Sequence, residues 1–326
     1  MKLSGLDVGL HYRGMAAKEN ASGAQVSAGR EEEPAPRELW DWPLDQRTKW
    51  LVRRYGITPR KRLSQNFLIN GNAAERLADA VKELQPSGVA EVGGGLGALS
   101  VPLVRRVHDL IVYEIDVALC EALAYLLSPV SRRARVVCAD FLQSDPREQG
   151  ASDGWCVVGN LPYQVTTPIL EKLFAGPPQW AAALVMVQRE FAQRMMAPPG
   201  SKTYGSLSVF AQYHCSEMIQ VMELSPGSFW PPPEVHSVAM LLRLRRHPPR
   251  KVKHPQAFFE VVHGVFQHRR KTLLRALVMG TTRGSDADRA RAAIEKAGLD
   301  PKQRPETLGL DQFAALSNAL VELGGG

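Results

Sequence analysis

The amino-acid sequence predicts a doubly wound α/β sheet with an antiparallel addition, followed by a small all-helical domain. Three observations predict it. Short apolar runs alternate with helical patterns between residues 73 and 196. A glycine-rich turn, Gly93-Gly94-Gly95-Leu96-Gly97, follows the first of those runs and opens a helix. Beyond Arg246 the strand-like runs stop and only helical periodicity remains. A length of 326 residues accommodates two domains, and 44% apolar residues permit a sizeable core. The expected division is an N-terminal extension (1–45), a sheet domain (46–246) and a helical domain (247–326).

Residues 1–38 mix Gly, Ala, Ser and Glu with little periodicity and close on Glu31-Glu32-Glu33-Pro34-Ala35-Pro36, so the extension is expected to lack fixed structure. It has no continuous apolar run of the kind a secretory signal carries, and its acidic run argues against a transit peptide. Met15 is an alternative start. A short helix through Trp50-Leu51-Val52 leads to Tyr55-Gly56. Residues 73–84 put Leu77, Ala80, Val81 and Leu84 on one helical face. Strands are expected at 89–92, 110–115, 135–139, 155–158 and 183–187, with helices at 117–127, 167–174 and 189–196. Two late strands, 207–213 and 238–244, supply the antiparallel addition. His247-Pro248-Pro249 breaks the chain, and helices are expected at 258–277, 286–297 and 310–323. No internal repeat is visible.

No apolar stretch reaches bilayer length, so a soluble, cytoplasmic protein is expected, with no membrane partner. The net charge of +7 is compatible with a polyanionic partner. Cys120, Cys138, Cys156 and Cys215 lie in apolar segments with no CxxC pair, which suits small core hydrophobes in a reducing compartment. The eight histidines show no ligand spacing, so no metal site is expected. Met195-Met196 and the tryptophans read as packing; His214 and His236 read as structural.

Three sets of residues carry chemistry. Glycines at 93 and 95 let the backbone turn sharply and approach a ligand, and no Lys-Ser/Thr follows to make a triphosphate loop. Glu114, about 20 residues beyond Gly93, ends the second strand where an acid can hold ribose hydroxyls. Asp140 ends the third, where it can accept from an adenine amino group. Together they describe a site for an adenosine-containing ligand, which either a nicotinamide cofactor or S-adenosylmethionine would fit. The third set is Asn160-Leu161-Pro162-Tyr163, at the end of the apolar run Trp155-Cys156-Val157-Val158-Gly159. An amide oxygen and nearby carbonyls can accept from an exocyclic amine, the proline fixes the backbone, and the ring can stack on a flat base. Those are the parts needed to hold an extruded adenine beside a methyl donor.

At these residues the chain resembles the ribosomal RNA adenine N6-dimethyltransferases. Lys61-Arg62-Leu63-Ser64-Gln65-Asn66-Phe67-Leu68 resembles the family's opening motif, Glu91 to Gly97 its donor loop, Glu114-Ile115-Asp116 and Asp140-Phe141-Leu142 the next two motifs, and Asn160 to Tyr163 the catalytic one. They occur in family order. Pro199-Gly200-Ser201-Lys202-Thr203-Tyr204-Gly205-Ser206-Leu207-Ser208-Val209, Phe229-Trp230-Pro231-Pro232-Pro233-Glu234-Val235-His236-Ser237 and Phe266-Gln267-His268-Arg269-Arg270-Lys271-Thr272-Leu273 resemble the bacterial small-subunit branch. The antibiotic-resistance branch, which modifies large-subunit RNA, more often carries Ile than Leu in the catalytic tetrapeptide. The ending from Arg304-Pro305-Glu306 to Leu320 is family-like but weaker. Ser64, Gly94 and His236 depart from the usual Gly, Pro and Asp. Loss of the stiffening proline at 94 is expected to weaken donor binding through loop entropy.

The resemblance implies a class I, Rossmann-like methyltransferase that uses S-adenosylmethionine, releases S-adenosylhomocysteine and dimethylates N6 of two adjacent adenosines near the 3′ end of 16S rRNA, in a partly assembled small subunit, as a monomer. It places Asn66, Leu68, Gly93, Gly95, Glu114, Asp140 and Asn160 on the donor. Asn160, Leu161, Pro162 and Tyr163 fall on the target base. For RNA we expect the basic stretches: Arg60, Lys61 and Arg62; Arg243, Arg245, Arg246, Arg250, Lys251 and Lys253; and Arg269, Arg270, Lys271 and Arg275. Two other readings stand beside it. A nicotinamide-dependent oxidoreductase leaves Asn160 to Tyr163 unexplained. A non-catalytic RNA-binding relative leaves the donor motifs without a purpose.

Overall fold

The computed structural model describes residues 33–60, 65–247, 249 and 251–324. Met15, the run Lys61-Arg62-Leu63-Ser64 of the opening motif, Pro248 and Arg250 lie outside the described residues. The chain from Ala35 onward forms one unit. It begins with a 3-10 turn, Glu38–Trp40, and helix α1, Leu44–Arg54. Strand β1 (Phe67–Leu68) precedes α2 (Gly71–Glu83), which starts where the Asn70 side chain accepts from Ala73 N. There follow β2 (Val89–Val92), α3 (Ser100–Val104), β3 (Leu110–Glu114), α4 (Val117–Leu127), β4 (Ala134–Cys138), β5 (Cys156–Asn160), α5 (Thr166–Ala175), β6 (Ala182–Gln188) and α6 (Arg189–Met196). Then come α7 (Ser206–His214), β7 (Cys215–Leu224), β8 (Phe229–Trp230) and β9 (Ser237–Leu244). Helices α8 (Pro255–Gln267), α9 (Leu273–Gly280), α10 (Ala287–Lys296) and α11 (Leu310–Gly324) complete the chain.

Seven strands form one sheet in the order β4-β3-β2-β5-β6-β9-β7. The first five in that row are parallel, and β9 runs antiparallel to both β6 and β7. Strands β2, β3 and β5 are buried on both faces, as strands covered by helices on each side must be. One face packs Leu77, Leu103, Leu123 and Leu126 against β2 and β3. The other packs Leu170, Leu173 and Met195 against β5 and β6. β1 and β8 make a separate two-stranded ribbon, with Phe67 opposite Trp230.

Four expectations need correction. Residues 207–213 are not a strand but the body of α7. Leu207, Val209, Ala211 and Tyr213 alternate because the helix is buried on two sides: Ala211 in the sheet core, Val209 and Tyr213 in the core of the helical region. Ser208 Oγ accepts from Gly205 N at 3.1 Å and starts it. The strand beside β9 is β7, an edge strand with half of its residues exposed and only its two ends buried, which leaves no clear apolar alternation. The single helix expected at 258–277 is two, α8 and α9, broken at His268–Thr272. Residues 35–45, expected inside an unstructured extension, are ordered: Leu39 and Trp40 are buried, and the Trp40 indole donates to Leu126 O at 2.8 Å. Cys120 and Cys138, read as separate thiols, form a disulfide because α4 folds back over β4 and sets their Cα atoms 5.7 Å apart. Cys156 and Cys215 remain free, and burial pushes their thiols up to about 11 and about 12.

The helical region shares a core with α7. Phe258, Val261, Leu277 and Phe313 pack with Tyr204, Val209 and Tyr213, and the Tyr204 hydroxyl donates to Leu308 O at 2.8 Å. Arg269 binds inward, to Glu306 at 2.5 Å and to Ser201 O at 3.2 Å, joining the Pro-Gly-Ser-Lys segment to the helices. α8 and α9 cross where Gly264 faces Gly280; a Cβ on either would collide with the other's carbonyl. Gly264→Ala is therefore expected to cost about 1–3 kcal/mol by overpacking, read as a lower urea midpoint. An unchanged midpoint would mean that the helices do not cross at backbone contact.

Candidate active site

The strand order reverses between β2 and β5, with β3 and β4 to one side and β6, β9 and β7 to the other. At such a point the carboxyl ends of the strands leave a crevice. Here it is a cavity of about 240 Å³. Its lining includes Asn66, Leu68, Gly93, Gly95, Glu114, Asp140, Asn160, Leu161, Pro162 and Tyr163. Every donor-site and catalytic residue predicted from sequence therefore meets at one place.

Gly93, Gly95 and Gly97 adopt φ of +76°, +55° and +72°, a left-handed region that a side chain would strain. Gly93 N donates to Tyr113 O at 2.8 Å, and Gly95 N to Glu114 Oε2 at 2.9 Å, so the loop is held to the end of β3. Glu114 Oε1 accepts from Ile115 N and Asp116 N at 2.8 and 3.0 Å. Burial raises the Glu114 carboxyl, and these backbone donors oppose the shift. The proline expected at 94 has no room: a Cβ there would collide with Val112 Cγ1 and lie 2.9 Å from Leu123 Cδ1. Packing thus stiffens the loop where the ring is missing.

Two residues given no role from sequence, Glu91 at the start of the donor-loop motif and Arg47, brace the same loop. Glu91, 2% exposed, accepts from Ser100 Oγ at 2.6 Å. Burial pushes its carboxyl up to about 8, opposed by the Ser100 bond and aided by nearby Glu114. Arg47 of α1, 4% exposed, donates to Gly97 O at 3.3 Å. Its burial and the charge of Arg105 lower the guanidinium to about 10. Asp140 caps the turn after β4, its Oδ1 accepting from Leu142 N at 2.9 Å. That turn is gripped by Lys172 of α5, whose ammonium donates to Phe141 O at 2.5 Å, Leu142 O at 3.0 Å and Ser144 O. A glycine cradle, an acid at the end of β3 and a second acid after β4, with Ile115 and Phe141 between them, fit an adenosine-containing ligand.

The tetrapeptide Asn160-Leu161-Pro162-Tyr163 leaves β5 beside this cradle. Asn160 Nδ2 donates to Asn66 O at 2.7 Å, which sets the amide and leaves Oδ1 as its acceptor. Leu161 N donates to Met186 O at 3.2 Å, and Val165 N to Pro162 O at 3.0 Å, so the backbone is fixed on both sides of the proline. Tyr163 is half-buried, and its hydroxyl meets Ser237 Oγ at 2.8 Å.

Of the basic residues predicted for RNA, Arg245, Arg246, Arg270, Lys271 and Arg275 are exposed. Arg60 pairs with Asp116 at 3.3 Å, Arg243 with Glu217 at 3.0 Å, Lys251 with Asp311 at 2.5 Å and Lys253 with Glu322 at 3.2 Å. Arg269 is turned inward as described. Among the described residues no group of three or more His, Cys, Asp or Glu side chains is placed to hold a metal. No described helix is long and apolar enough to cross a membrane.

A sequence model of the family described as ribosomal RNA adenine dimethylase matches residues 56–320. The chain is 39% identical to ribosomal RNA small subunit methyltransferase A of Geobacillus thermodenitrificans over 85% of its own length and 96% of that protein. It is likewise 39% identical to the protein of that name from Bacillus mycoides, covering 86% and 98%. Among solved structures, the 23S rRNA methyltransferase ErmE is 27% identical, with a TM-score of 0.60 over 78% of this chain and 99% of that one. A dimethyladenosine transferase from Plasmodium falciparum is 21% identical and shares the fold, with a TM-score of 0.64 over 77% and 95%.

Glu91 gives the site a pH signature. Its folded value, about 8, stands above the ordinary 4.5. The associated stability is therefore complete below the ordinary value and is lost as pH rises through about 8. Glu91→Gln keeps the contact to Ser100 and removes the ionisation. The variant is expected to gain on the order of a few kcal/mol relative to the unaltered protein near pH 9 and little near pH 4, in thermal or urea unfolding. Parallel pH profiles for the two proteins would show that Glu91 ionises at its ordinary value.

Proposed function

The chain belongs to the ribosomal RNA adenine dimethylase family, and from that premise we propose that it transfers methyl groups from S-adenosylmethionine to N6 of two adjacent adenosines near the 3′ end of 16S rRNA. The observation that carries this reading is the convergence of the glycine cradle, Glu114, Asp140 and the Asn160-Leu161-Pro162-Tyr163 turn on one cavity. The names of the curated relatives support the small-subunit target, as do Leu161 in the tetrapeptide and the Pro-Gly-Ser-Lys segment. The protein acts as a cytoplasmic monomer on a partly assembled subunit.

When bound, S-adenosylmethionine supplies an electrophilic methyl carbon on a sulfonium. Gly93 and Gly95 would cradle it, Glu114 would hold its ribose and Asp140 its adenine, and Asn66 and Leu68 would close the site from the opening segment. Asn160 Oδ1 and the Leu161 carbonyl would accept from the target N6 and so orient its lone pair for transfer. Tyr163 stacks on the extruded base, and alignment supplies much of the remaining rate. No residue here is assigned as a general base: the N6–C bond would form as the methyl C–S bond breaks, S-adenosylhomocysteine would leave, and the N6 proton would pass to solvent water. A second transfer would need a fresh donor molecule, with the monomethyl amine turned within the same pocket.

The 247–326 helical region carries RNA contacts together with the domain junction. Arg245, Arg246, Arg270 and Lys271 meet phosphates, where they release counterions. Arg269, fixed to Glu306 and Ser201 O, holds the surface on which Arg270 and Lys271 stand.

The test combines labelled S-adenosylmethionine, small subunits lacking the modification and primer extension, run with the unaltered protein and with Asn160→Ala. Label at two adjacent adenines near the 3′ end is expected from the unaltered protein. Asn160→Ala should lose transfer while keeping donor affinity by calorimetry. Label in large-subunit RNA instead would move the target to the branch of the ErmE enzyme. Donor binding without transfer to either subunit would overturn the proposed target, and no donor binding would favour a purely RNA-binding role. Equal loss of donor affinity and transfer in Asn160→Ala would overturn the role given to its amide.

A further inference from the structure

The phenol hydroxyl of Tyr163 has no part in stacking, since a phenylalanine ring would lie on a base as well. Its hydrogen bond is to Ser237 Oγ, at 2.8 Å. Ser237 is 1% exposed, and a buried hydroxyl without a partner is costly, so the bond matters at both ends. Ser237 also cannot drift. It opens β9 and is paired with Gln188 of β6 and Leu224 of β7, and the preceding carbonyl, His236 O, accepts from Arg189 N at 3.0 Å. The reversed direction of β9 is what brings its first residue to the carboxyl ends of β5 and β6, where Asn160 and Leu161 leave the sheet. The Tyr163 backbone is already fixed by Leu161 N on Met186 O, Val165 N on Pro162 O and Thr166 Oγ1 on Pro162 O at 3.2 Å. With the backbone set by β6 and the hydroxyl set by β9, the ring plane has both ends pinned.

We propose that Ser237 is a positioning residue for methyl transfer: its hydroxyl holds the Tyr163 phenol and thereby fixes the plane against which the target adenine stacks. This rests on the proposed function, and it gives the segment Phe229 to Ser237 a role in catalysis beyond its family resemblance. Ser237 touches neither donor nor base; it acts through Tyr163. Removing the hydroxyl leaves the ring present but free to pivot, so the base is held at more angles and the amine meets the methyl carbon less often. Neither Ser237 nor the Tyr163 hydroxyl is among the residues assigned to the donor, so donor affinity is expected to change little.

The experiment is a double-mutant cycle on unmodified small subunits with Ser237→Ala, Tyr163→Phe and the pair together, with Ser237→Thr as the conservative control. Each single variant is expected to lower kcat on the order of 3–10-fold, with donor Kd within about twofold and thermal midpoint little changed. The double variant should lose no more than either single one, because both remove the same bond. Ser237→Thr should recover most of the rate. Tyr163→Phe serves where Ser237→Ala folds poorly, since it breaks the bond from the exposed side. Additive losses, unchanged kcat in Tyr163→Phe, or losses in Ser237→Ala that follow donor affinity and thermal midpoint would overturn the proposal while leaving the function intact. Absence of transfer by the unaltered protein would overturn both.

Discussion

The hydrogen bond from Asn160 Nδ2 to Asn66 O, 2.7 Å long and closing 94 residues of chain, is the constraint on which the site depends. A carboxamide has one acceptor and one donating end, and without a partner either could face the cavity. By taking the donating end, the Asn66 carbonyl leaves Oδ1 as the group available to an incoming amine. The same bond ties the opening segment to the end of β5, so the residues proposed to close over the donor and those proposed to hold the base are placed together. Phe67, next in sequence, lies opposite Trp230 on β8, which extends that tie to the segment ending at Ser237.

Around this bond the fold fixes position by burial. The loop from Gly93 to Gly97 is bound on one side to Tyr113 and Glu114 and on the other to Arg47, and Val112 and Leu123 fill the space beneath Gly94. Lys172 does the same for the Asp140 turn, and it reaches there from α5, the helix that begins just past the catalytic tetrapeptide. Two parts of the cavity wall that lie apart in sequence are thus held by hydrogen bonds, most of them to backbone carbonyls. Such bonds need no exact side-chain partner and tolerate little displacement. Glu91 shows the cost of this dryness: its carboxyl, with Ser100 as its hydrogen-bond partner, is neutral over much of the physiological range.

The parallel half of the sheet and the residues lining the cavity were legible in sequence for a clear reason. Strands β2, β3 and β5 are buried on both faces and read as continuous apolar runs, and the glycines and acids stand where those runs end. Legibility failed where a residue's role depends on what packs against it. α7 reads as a strand because two cores share it. β7 reads as nothing because it is an exposed edge. Leu39 and Trp40 sit in a polar stretch whose burial is decided by α4. Arg269 looks like its neighbours Arg270 and Lys271 in sequence, yet Glu306 and Ser201 O draw it inward. Ser237 was quoted as part of a motif, but no local signal joins a serine at the start of β9 to a tyrosine after β5; that pairing exists only once β9 has reversed.

The most direct test of the account is Asn160→Asp, assayed for transfer and for donor binding. Aspartate keeps the shape of the side chain and an oxygen acceptor, but it has no N–H for the Asn66 carbonyl and brings a charge against it. If the amide is set by that carbonyl, transfer should fall on the order of 100-fold, well beyond any loss of donor affinity from freeing the opening segment. Transfer close to that of the unaltered protein would show that an acceptor alone suffices and that the bond to Asn66 does not govern the chemistry.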